Sequence, residues 1–374
     1  MTNVGWIGLG AMGSPMASFV ARAGHPVTAF DIDPQKAVAL SEDGVKAAAT
    51  VSDAAADADV LVLMVATAGQ AESVLYGEGK AAAALKPGSV VLLMATVGPA
   101  AVEDWARRLA VTGVDIVDAP VSGGAARAGQ GDLLIMVSGS DTTLAAVQPL
   151  LNVMARNAPV VGTEPGDGQK VKLVNQLLCG VHIAVAAEAL AYAEALGLDP
   201  GATWEVLRHG AAASFMLDDR GARMVDNPNN EIRSTIDIFV KDMGMVTEAA
   251  RANAYPTPLA SAAEQLYLAG RRAGLGRADD STVIQILRGS AGASTWDGRT
   301  PEGIRTGPSW LSGRSACQAS SSAGVLVMIA STPAAVSRAQ SAGSSAVHAA
   351  TVIPAARRTG TTPGCSIRSR ARGW

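Results

Sequence analysis

The chain has 374 residues, 48% of them hydrophobic and 17% charged, with a formal net charge of −3 and a pI near 5.9. This length predicts two or more domains with sizeable cores, and the weak negative charge argues against nucleic acid or an anionic membrane as a partner. The three cysteines and four histidines are too scattered for a disulfide framework or a metal site. No basic leader and no uncharged membrane-length run is visible, so we expect a cytoplasmic protein.

Residues 1–162 alternate short apolar runs with amphipathic stretches, a pattern typical of strand–helix repeats on a parallel sheet. Most of these runs are apolar throughout, as expected of strands that helices cover on both faces. We therefore predict an α/β Rossmann domain with a doubly wound, mostly parallel sheet. Its predicted strands are Val4–Leu9, Val27–Phe30, Val60–Val65, Val90–Met94, Ile116–Val117, Leu133–Val137 and Val160–Val161.

Residues 163–288 are predicted to form a second, all-helical domain. The segment from Gly166 to Leu196 is rich in Ala and Leu, lacks proline and stops at Gly197. As one helix it would span roughly 40 Å and connect the two domains. Further helices are predicted at Ile236–Arg251 and Pro258–Ala273.

Residues 289–374 differ in composition from the rest of the chain. They contain nine arginines, no lysine and only two acidic residues, and they are rich in Ser, Ala and Gly. This composition predicts a disordered basic tail, or an out-of-frame end of the reading frame, and in either case no active-site residue.

The turn from Gly8 to Gly13 has the spacing G-x-G-x-x-G between a predicted strand and a predicted helix. Such glycines let the pyrophosphate of a dinucleotide approach the partially positive start of the helix. Asp31 ends the second strand, where a carboxylate accepts hydrogen bonds from the adenosine ribose. Asp31 and Asp33 would repel a 2′-phosphate, so we predict NAD rather than NADP. The predicted contacts in the turn are Gly8, Leu9, Gly10, Ala11, Met12 and Gly13.

Four segments resemble the signature segments of the β-hydroxyacid dehydrogenase family, which includes 3-hydroxyisobutyrate, tartronate-semialdehyde and 6-phosphogluconate enzymes. The resemblance covers residues 3–288 and is strongest to the L-threonate dehydrogenase branch. It implies a nicotinamide-dependent dehydrogenase of a small hydroxy acid, and a homodimer or homotetramer. The segments are Gly8–Met16, Asp118–Asp132, Gly166–Gln176 and Phe239–Gly244.

The resemblance implies that Lys172 is the catalytic general acid/base. A neutral lysine accepts the substrate's hydroxyl proton only if its surroundings lower its pKa from about 10.4. Lys170 is the local alternative, but two residues on a helix are about 200° apart, so both side chains cannot serve one site. Asn175 and Gln176 share the helix face of Lys172. Many family members carry Asn where this chain has Gln176, so either amide remains a candidate for orienting the substrate.

The same resemblance implies the remaining site residues. The substrate's carboxylate would be held by Ser122, Gly123 and Gly124, which without the resemblance would be read only as a turn after a strand. The further cofactor contacts would be Met64, Val65, Thr96 and Lys241.

Four functions are compatible with these residues. Oxidation of L-threonate at C2 to the 2-oxo acid is preferred, and the same site would serve a 3-hydroxyisobutyrate dehydrogenase or a tartronate-semialdehyde reductase. A catalytically silent NAD-binding scaffold is the non-enzymatic alternative. Such a scaffold would have no need of Lys172, Ser122 and Lys241, so their presence favours an enzyme.

Overall fold

The computed structural model of the protein describes residues 1–226 and 231–288. The tail predicted at 289–374 lies outside the described residues. The strands of the described part are β1 (Val4–Ile7), β2 (Val27–Phe30), β3 (Val45–Ala47), β4 (Val60–Leu63), β5 (Val90–Leu93), β6 (Asp115–Asp118), β7 (Val121–Ser122), β8 (Leu133–Ile135), β9 (Val137–Ser138), β10 (Ala155–Asn157) and β11 (Val160–Gly162).

Eight of these strands form one sheet in the order β11-β9-β6-β5-β4-β1-β2-β3. Neighbouring strands are parallel throughout, except for the antiparallel pair β6 and β9. The order β3-β2-β1-β4-β5-β6 is that of a dinucleotide-binding Rossmann fold, and ligands of such folds bind at the carboxyl ends of the strands where the order reverses. The prediction of a doubly wound, mostly parallel sheet is confirmed.

One predicted strand is divided between two sheets. The run Leu133–Val137 forms β8, which pairs with β7 and β10 in a small three-stranded sheet, and β9, which belongs to the large sheet. The two strands separate at Met136, whose amide donates to the Pro120 carbonyl at 3.0 Å. All five residues of the run are apolar, so the sequence contains no alternation that could reveal the change of partner.

Hydrophobic clusters cover both faces of the large sheet. Successive side chains of a strand point to opposite faces, so each strand contributes to both clusters. Trp6 packs on one face and Ile7 on the other, as Leu92 and Leu93 do in β5. This explains why the strands are apolar throughout.

The α-helices of the described chain lie between the strands as far as β11 and then follow one another to residue 287. They are α1 (Gly13–Arg22), α2 (Pro34–Val38), α3 (Val51–Ala55), α4 (Ala68–Leu75), α5 (Ala81–Ala84), α6 (Pro99–Ala110), α7 (Gly124–Ala128), α8 (Asp141–Met154), α9 (Asp167–Ala195), α10 (Pro200–Leu207), α11 (Phe215–Val225), α12 (Ile236–Ala252), α13 (Pro258–Gly270) and α14 (Ile284–Leu287). The predicted helix Pro258–Ala273 is shorter than expected, because Arg271–Leu275 forms a π-helical turn with Gly274 at φ 85°.

Helix α9 is the long helix that the sequence predicted. Its 29 residues span roughly 44 Å, and Gly197, with φ 76°, follows its end. Within the described residues it is the one helix long and apolar enough to cross a membrane, with a mean hydropathy of 1.5. Ile183, Ala187 and Leu190 pack it into a core with side chains of α12 and α13, so it is the central helix of the helical part.

Candidate active site

The glycine-rich turn between β1 and α1 is tightly packed on its inner side and open on its outer side. Gly8 has φ 97°, and a side chain there would collide with the Met64 backbone, while one at Gly13 would collide with the Gly8 carbonyl. At Gly10, by contrast, a Cβ would have no heavy atom within 4 Å. The open side faces the start of α1, where amides attract anions, so the turn suits the pyrophosphate of a dinucleotide.

Asp31 is held firmly at the end of β2. Its carboxylate accepts hydrogen bonds from the Leu9 amide at 2.7 Å and the Asp33 amide at 3.0 Å. Burial raises the pKa of Asp31, but these hydrogen bonds and the neighbouring Lys36 outweigh it, so the net pKa is lowered. Asp31 is therefore a carboxylate placed beside the glycine-rich turn.

Lys36 is a charged neighbour that sequence reasoning missed. Its Nζ lies 3.2 Å from Asp31 Oδ1, and its side chain is 42% exposed. The short helix α2 carries this lysine back towards the end of the strand. Asp33 caps α2 by accepting from the Gln35 amide at 3.1 Å. The charge around the predicted ribose site is consequently less negative than Asp31 and Asp33 alone suggest.

The other predicted cofactor residues follow β4 and β5. Met64 and Val65 come directly after β4, and Thr96 follows β5, all three half-buried at the carboxyl ends of strands beside the reversal point. Lys241 of α12 donates from Nζ to the Thr96 carbonyl at 3.1 Å. The helical part of the chain thus contacts the cofactor side of the Rossmann sheet through Lys241.

Gln169 fixes the start of α9 on the ends of β5 and β6. Its side-chain carbonyl accepts from the amides of Val97 and Gly98 at 2.9 and 3.1 Å, and its Nε2 donates to Ala95 at 3.1 Å and to Asp118 at 2.7 Å. The Gln169 amide also donates to Asp118 at 2.8 Å. Burial raises the pKa of Asp118 to about 6, although these hydrogen bonds act in the opposite direction. Sequence reasoning missed Gln169, and these bonds place Lys172, one turn later, over the strand ends.

Lys172 is buried, with 6% of its surface exposed. Burial lowers its pKa, and the charge of Lys241 acts in the same direction. Asp242 and Cys179 raise it, but the net pKa of Lys172 is below its usual value. A lysine in this environment can be neutral closer to physiological pH, as a general base must be.

Lys170 lies on the surface, about 200° around the helix from Lys172. Its side chain is 55% exposed and forms ion pairs with Asp167 at 2.9 Å and Glu103 at 3.8 Å. The hydrogen bond to Asp167 raises the pKa of Lys170. The two lysines therefore differ both in burial and in the direction of their pKa shifts.

Asn175 and Gln176 face different partners. Ser122 Oγ donates to Asn175 Oδ1 at 3.2 Å, which joins the predicted substrate loop to α9. Asn175 Nδ2 donates to Gln176 Oε1 at 2.8 Å. Gln176 is buried and donates from Nε2 to Asp242 Oδ2. Asn175 is thus the amide bonded to the loop, while both ends of the Gln176 amide are occupied by other side chains.

Asp242 and Lys241, whose charges act on Lys172, extend this set of polar contacts. Asp242 Oδ1 lies 2.9 Å from Lys241 Nζ, which in turn contacts Thr96. A chain of polar contacts therefore runs from Ser122 through α9 and α12 to Thr96. In the substrate loop itself Gly123 and Gly124 have φ 140° and 71°, and a Cβ on Gly124 would have open space around it.

The structure combines a dinucleotide-type turn with a buried lysine of lowered pKa, and both lie at the carboxyl ends of a Rossmann sheet. These features are those of a nicotinamide-dependent dehydrogenase. The family described as the NAD binding domain of 6-phosphogluconate dehydrogenase matches residues 3–162. The family described as the NAD-binding domain of NADP-dependent 3-hydroxyisobutyrate dehydrogenase matches residues 166–296. The chain belongs to this family of NAD-binding hydroxyacid dehydrogenases, so the family prediction is confirmed.

Known relatives match the described part almost end to end. The L-threonate dehydrogenase of Cupriavidus necator is 42% identical over 77% of this chain and 96% of its own length. The 2-hydroxy-3-oxopropionate reductase of Escherichia coli K12 is 34% identical over 76% of this chain and 97% of its own length. The solved 3-hydroxyisobutyrate dehydrogenase of Salmonella typhimurium is 39% identical, with a TM-score of 0.73 over 76% of this chain and all of its own. The predictions of an oxidoreductase and of NAD binding are confirmed.

Proposed function

We propose that the protein oxidises L-threonate at C2 to the 2-oxo acid, with NAD as cofactor. The observation that carries this proposal is the burial of Lys172, whose pKa is lowered, one turn after the Gln169 side chain that joins α9 to the ends of β5 and β6. Among its relatives, several proteins named L-threonate dehydrogenase are 38–42% identical to this chain, which favours L-threonate over the other acids.

In this proposal Lys172 Nζ accepts the proton of the C2 hydroxyl. Bound NAD supplies the hydride acceptor at nicotinamide C4. Lys172 must be neutral before the reaction, and Asp242 stabilises the ammonium group that forms. In the reverse direction the protonated Lys172 returns the proton to the developing alkoxide. Ser122, Gly123 and Gly124 hold the carboxylate, and Asn175 keeps Ser122 in position.

The cofactor would lie across the reversal point of the sheet. The turn from Gly8 to Gly13, including Leu9, Ala11 and Met12, would hold the pyrophosphate, and Asp31 the ribose hydroxyls. The adenosine half would pass Met64 and Val65 after β4, and Thr96 and Lys241 would make the further cofactor contacts.

A substrate panel tests this proposal. Purified protein is assayed for NADH formation from L-threonate, 3-hydroxyisobutyrate and glycerate, and for NADH consumption with tartronate semialdehyde. We expect the highest kcat/KM with L-threonate. Higher kcat/KM with another acid would reassign the substrate within the family, and NAD binding without turnover of any acid would support the scaffold alternative.

The charge around Asp31 predicts a preference for NAD. A carboxylate about 4 Å from a phosphate charge costs roughly 1 to 4 kcal/mol, depending on the local dielectric, and Lys36 offsets part of it. We expect kcat/KM to be about 10- to 100-fold higher with NAD than with NADP. Asp31→Asn should reduce this ratio, and Lys36→Ala should increase it. Equal use of both cofactors by the unaltered protein would contradict the role of Asp31.

We also propose that the protein is a homodimer or homotetramer that pairs through α9. Apolar side chains recur on its exposed side at intervals of three, four and seven residues, a spacing typical of helix–helix contacts. Leu178→Glu should therefore shift the mass measured by light scattering towards the monomer, and Lys170→Glu, on the same helix, should leave it unchanged. A monomeric unaltered protein would contradict this proposal. The exposed residues are Val171, Val174, Leu178, Val185 and Tyr192.

Two further assignments complete the proposal. The Rossmann domain would comprise residues 1–162, up to the end of β11, and the helical domain residues 163–288, beginning just before α9. The cytoplasm is the compartment that fits a cofactor-dependent enzyme whose three cysteines are widely spaced in the sequence.

A further inference from the structure

Arg127 lies on α7 directly beside the predicted substrate loop. A Cβ placed on Gly123 would be 2.9 Å from Arg127 Cδ and 3.0 Å from its Cβ, so the stem of Arg127 packs on the loop backbone. Ser122, the preceding loop residue, is bonded to Asn175 of α9. The loop is therefore flanked by an amide of α9 and by the side chain of Arg127.

The guanidinium of Arg127 reaches the helical part of the chain. Its Cζ lies 5.2 Å from the ring centroid of Phe215, the first residue of α11. A guanidinium above an aromatic face is stabilised by the charge distribution of the ring, and stacking leaves its edge free for hydrogen bonds. Phe215 thus holds the cation at the substrate loop without occupying its donors.

Those donors have no hydrogen-bond acceptor within residues 1–226 and 231–288. The nearest carboxylate oxygen, Asp132 Oδ2, is 3.8 Å from Arg127 Nε, too far for a hydrogen bond. Asp132 is also 3.6 Å from Arg156 Nε, so it is shared between two arginines. The Arg127 side chain is 38% exposed. Within the described residues, the planar fork of Arg127 therefore has the 3.8 Å ion pair with Asp132 but makes no hydrogen bond, and it is held beside the loop.

We propose that Arg127 determines specificity for acids by donating paired hydrogen bonds to the carboxylate, in addition to those of Ser122, Gly123 and Gly124. This role rests on the proposed function, because it assumes that a hydroxy acid binds at the loop. A carboxylate offers two oxygens at the spacing of the guanidinium fork, which an uncharged amide or alcohol does not. Arg127 would thus act on substrate binding, while Lys172 acts on the proton.

The test compares L-threonate with its amide, L-threonamide, in which the carboxylate is replaced by an uncharged group. Arg127→Ala should raise the KM for L-threonate about 10- to 100-fold, the loss expected for hydrogen bonds to a charged group. The kcat should stay within a few-fold, because the interaction is made equally before and during the reaction. The kcat/KM for L-threonamide should not change. Arg127→Lys should restore only part of the affinity, because an ammonium group cannot bind a carboxylate in a planar, bidentate way.

Arg156→Ala is the matched control, because Arg156 is near the same Asp132 but is 72% exposed. It should leave both KM values unchanged, and the melting temperature and NAD affinity of all variants should match those of the unaltered protein. An unchanged KM for L-threonate in Arg127→Ala would overturn the role of Arg127 while leaving the proposed function intact. An equal loss with acid and amide would show that Arg127 acts only on structure. No turnover of L-threonate by the unaltered protein would contradict the proposed function and, with it, this role.

Discussion

Replacing Lys172 by alanine is expected to lower kcat about 10²- to 10⁴-fold, the usual effect of losing a general acid/base. Lys172 is buried and its pKa is lowered, so it is the group in the cleft suited to accept the hydroxyl proton. The affinity for NAD, measured by fluorescence titration, should change little, because the glycine-rich turn lies in another part of the chain. Steady-state assays with L-threonate check the kcat.

Lys172→Arg should fail as well, because a guanidinium remains protonated at any working pH. Lys170→Ala is the matched control and should retain nearly full activity, since Lys170 is exposed and paired with Asp167. If Lys170→Ala were the inactive variant, the assignment along α9 would be wrong. If both alanine variants kept their activity, the base would not be a lysine.

The pH dependence of the unaltered protein follows from the same lysine. The base must be neutral for oxidation, so kcat/KM should fall as the pH drops below the pKa of Lys172. Burial lowers that pKa, so this acid limb should lie below the range of an exposed lysine. The residual kcat/KM of Lys172→Ala should not show this fall at low pH.

Two substitutions in the glycine-rich turn are expected to separate cofactor binding from folding. Gly10→Ala should weaken NAD binding about tenfold or more, because the added methyl group would stand between the backbone and the pyrophosphate. Its folding should be unaffected, since no heavy atom lies within 4 Å of that position. Titration with NAD and thermal unfolding without NAD measure the two effects.

Gly13→Ala, in contrast, should destabilise the fold, which is measured in the absence of NAD. Its methyl group would collide with the Gly8 carbonyl, so α1 would have to shift away from β1. Such overpacking costs about 1 to 3 kcal/mol of folding free energy, or more against a rigid backbone, and should lower the melting temperature. Unchanged NAD affinity in Gly10→Ala would contradict the position of the pyrophosphate in this turn.

The sequence predicted those parts of the fold that follow from local pattern. Continuous apolar runs identified the parallel strands, and an uninterrupted Ala- and Leu-rich stretch identified α9. Helical geometry showed only that Lys170 and Lys172 cannot serve one site. The family resemblance, and not a local pattern, singled out Lys172 as the lysine of the site, and the structure shows that it is buried.

The features that the sequence did not predict depend on contacts between distant segments. Gln169 binds backbone groups about 70 residues away in the chain, and no nearby pattern indicates that. Arg127 meets Phe215 only because α7 and α11 come together in the fold. Lys36 is closer to Asp31 in sequence, but its approach depends on the short helix α2 that follows the strand. Pattern analysis cannot supply such pairings.

If the protein moves a hydride from C2 of a hydroxy acid to NAD, an isotope label placed at C2 must appear in the NADH. Purified protein is incubated with NAD and L-threonate that carries deuterium at C2, and the NADH formed is analysed by mass spectrometry. Oxidation at C2 predicts that each NADH carries one deuterium. Unlabelled NADH would contradict this transfer by placing the oxidation at another carbon, and the absence of NADH would contradict L-threonate dehydrogenation altogether.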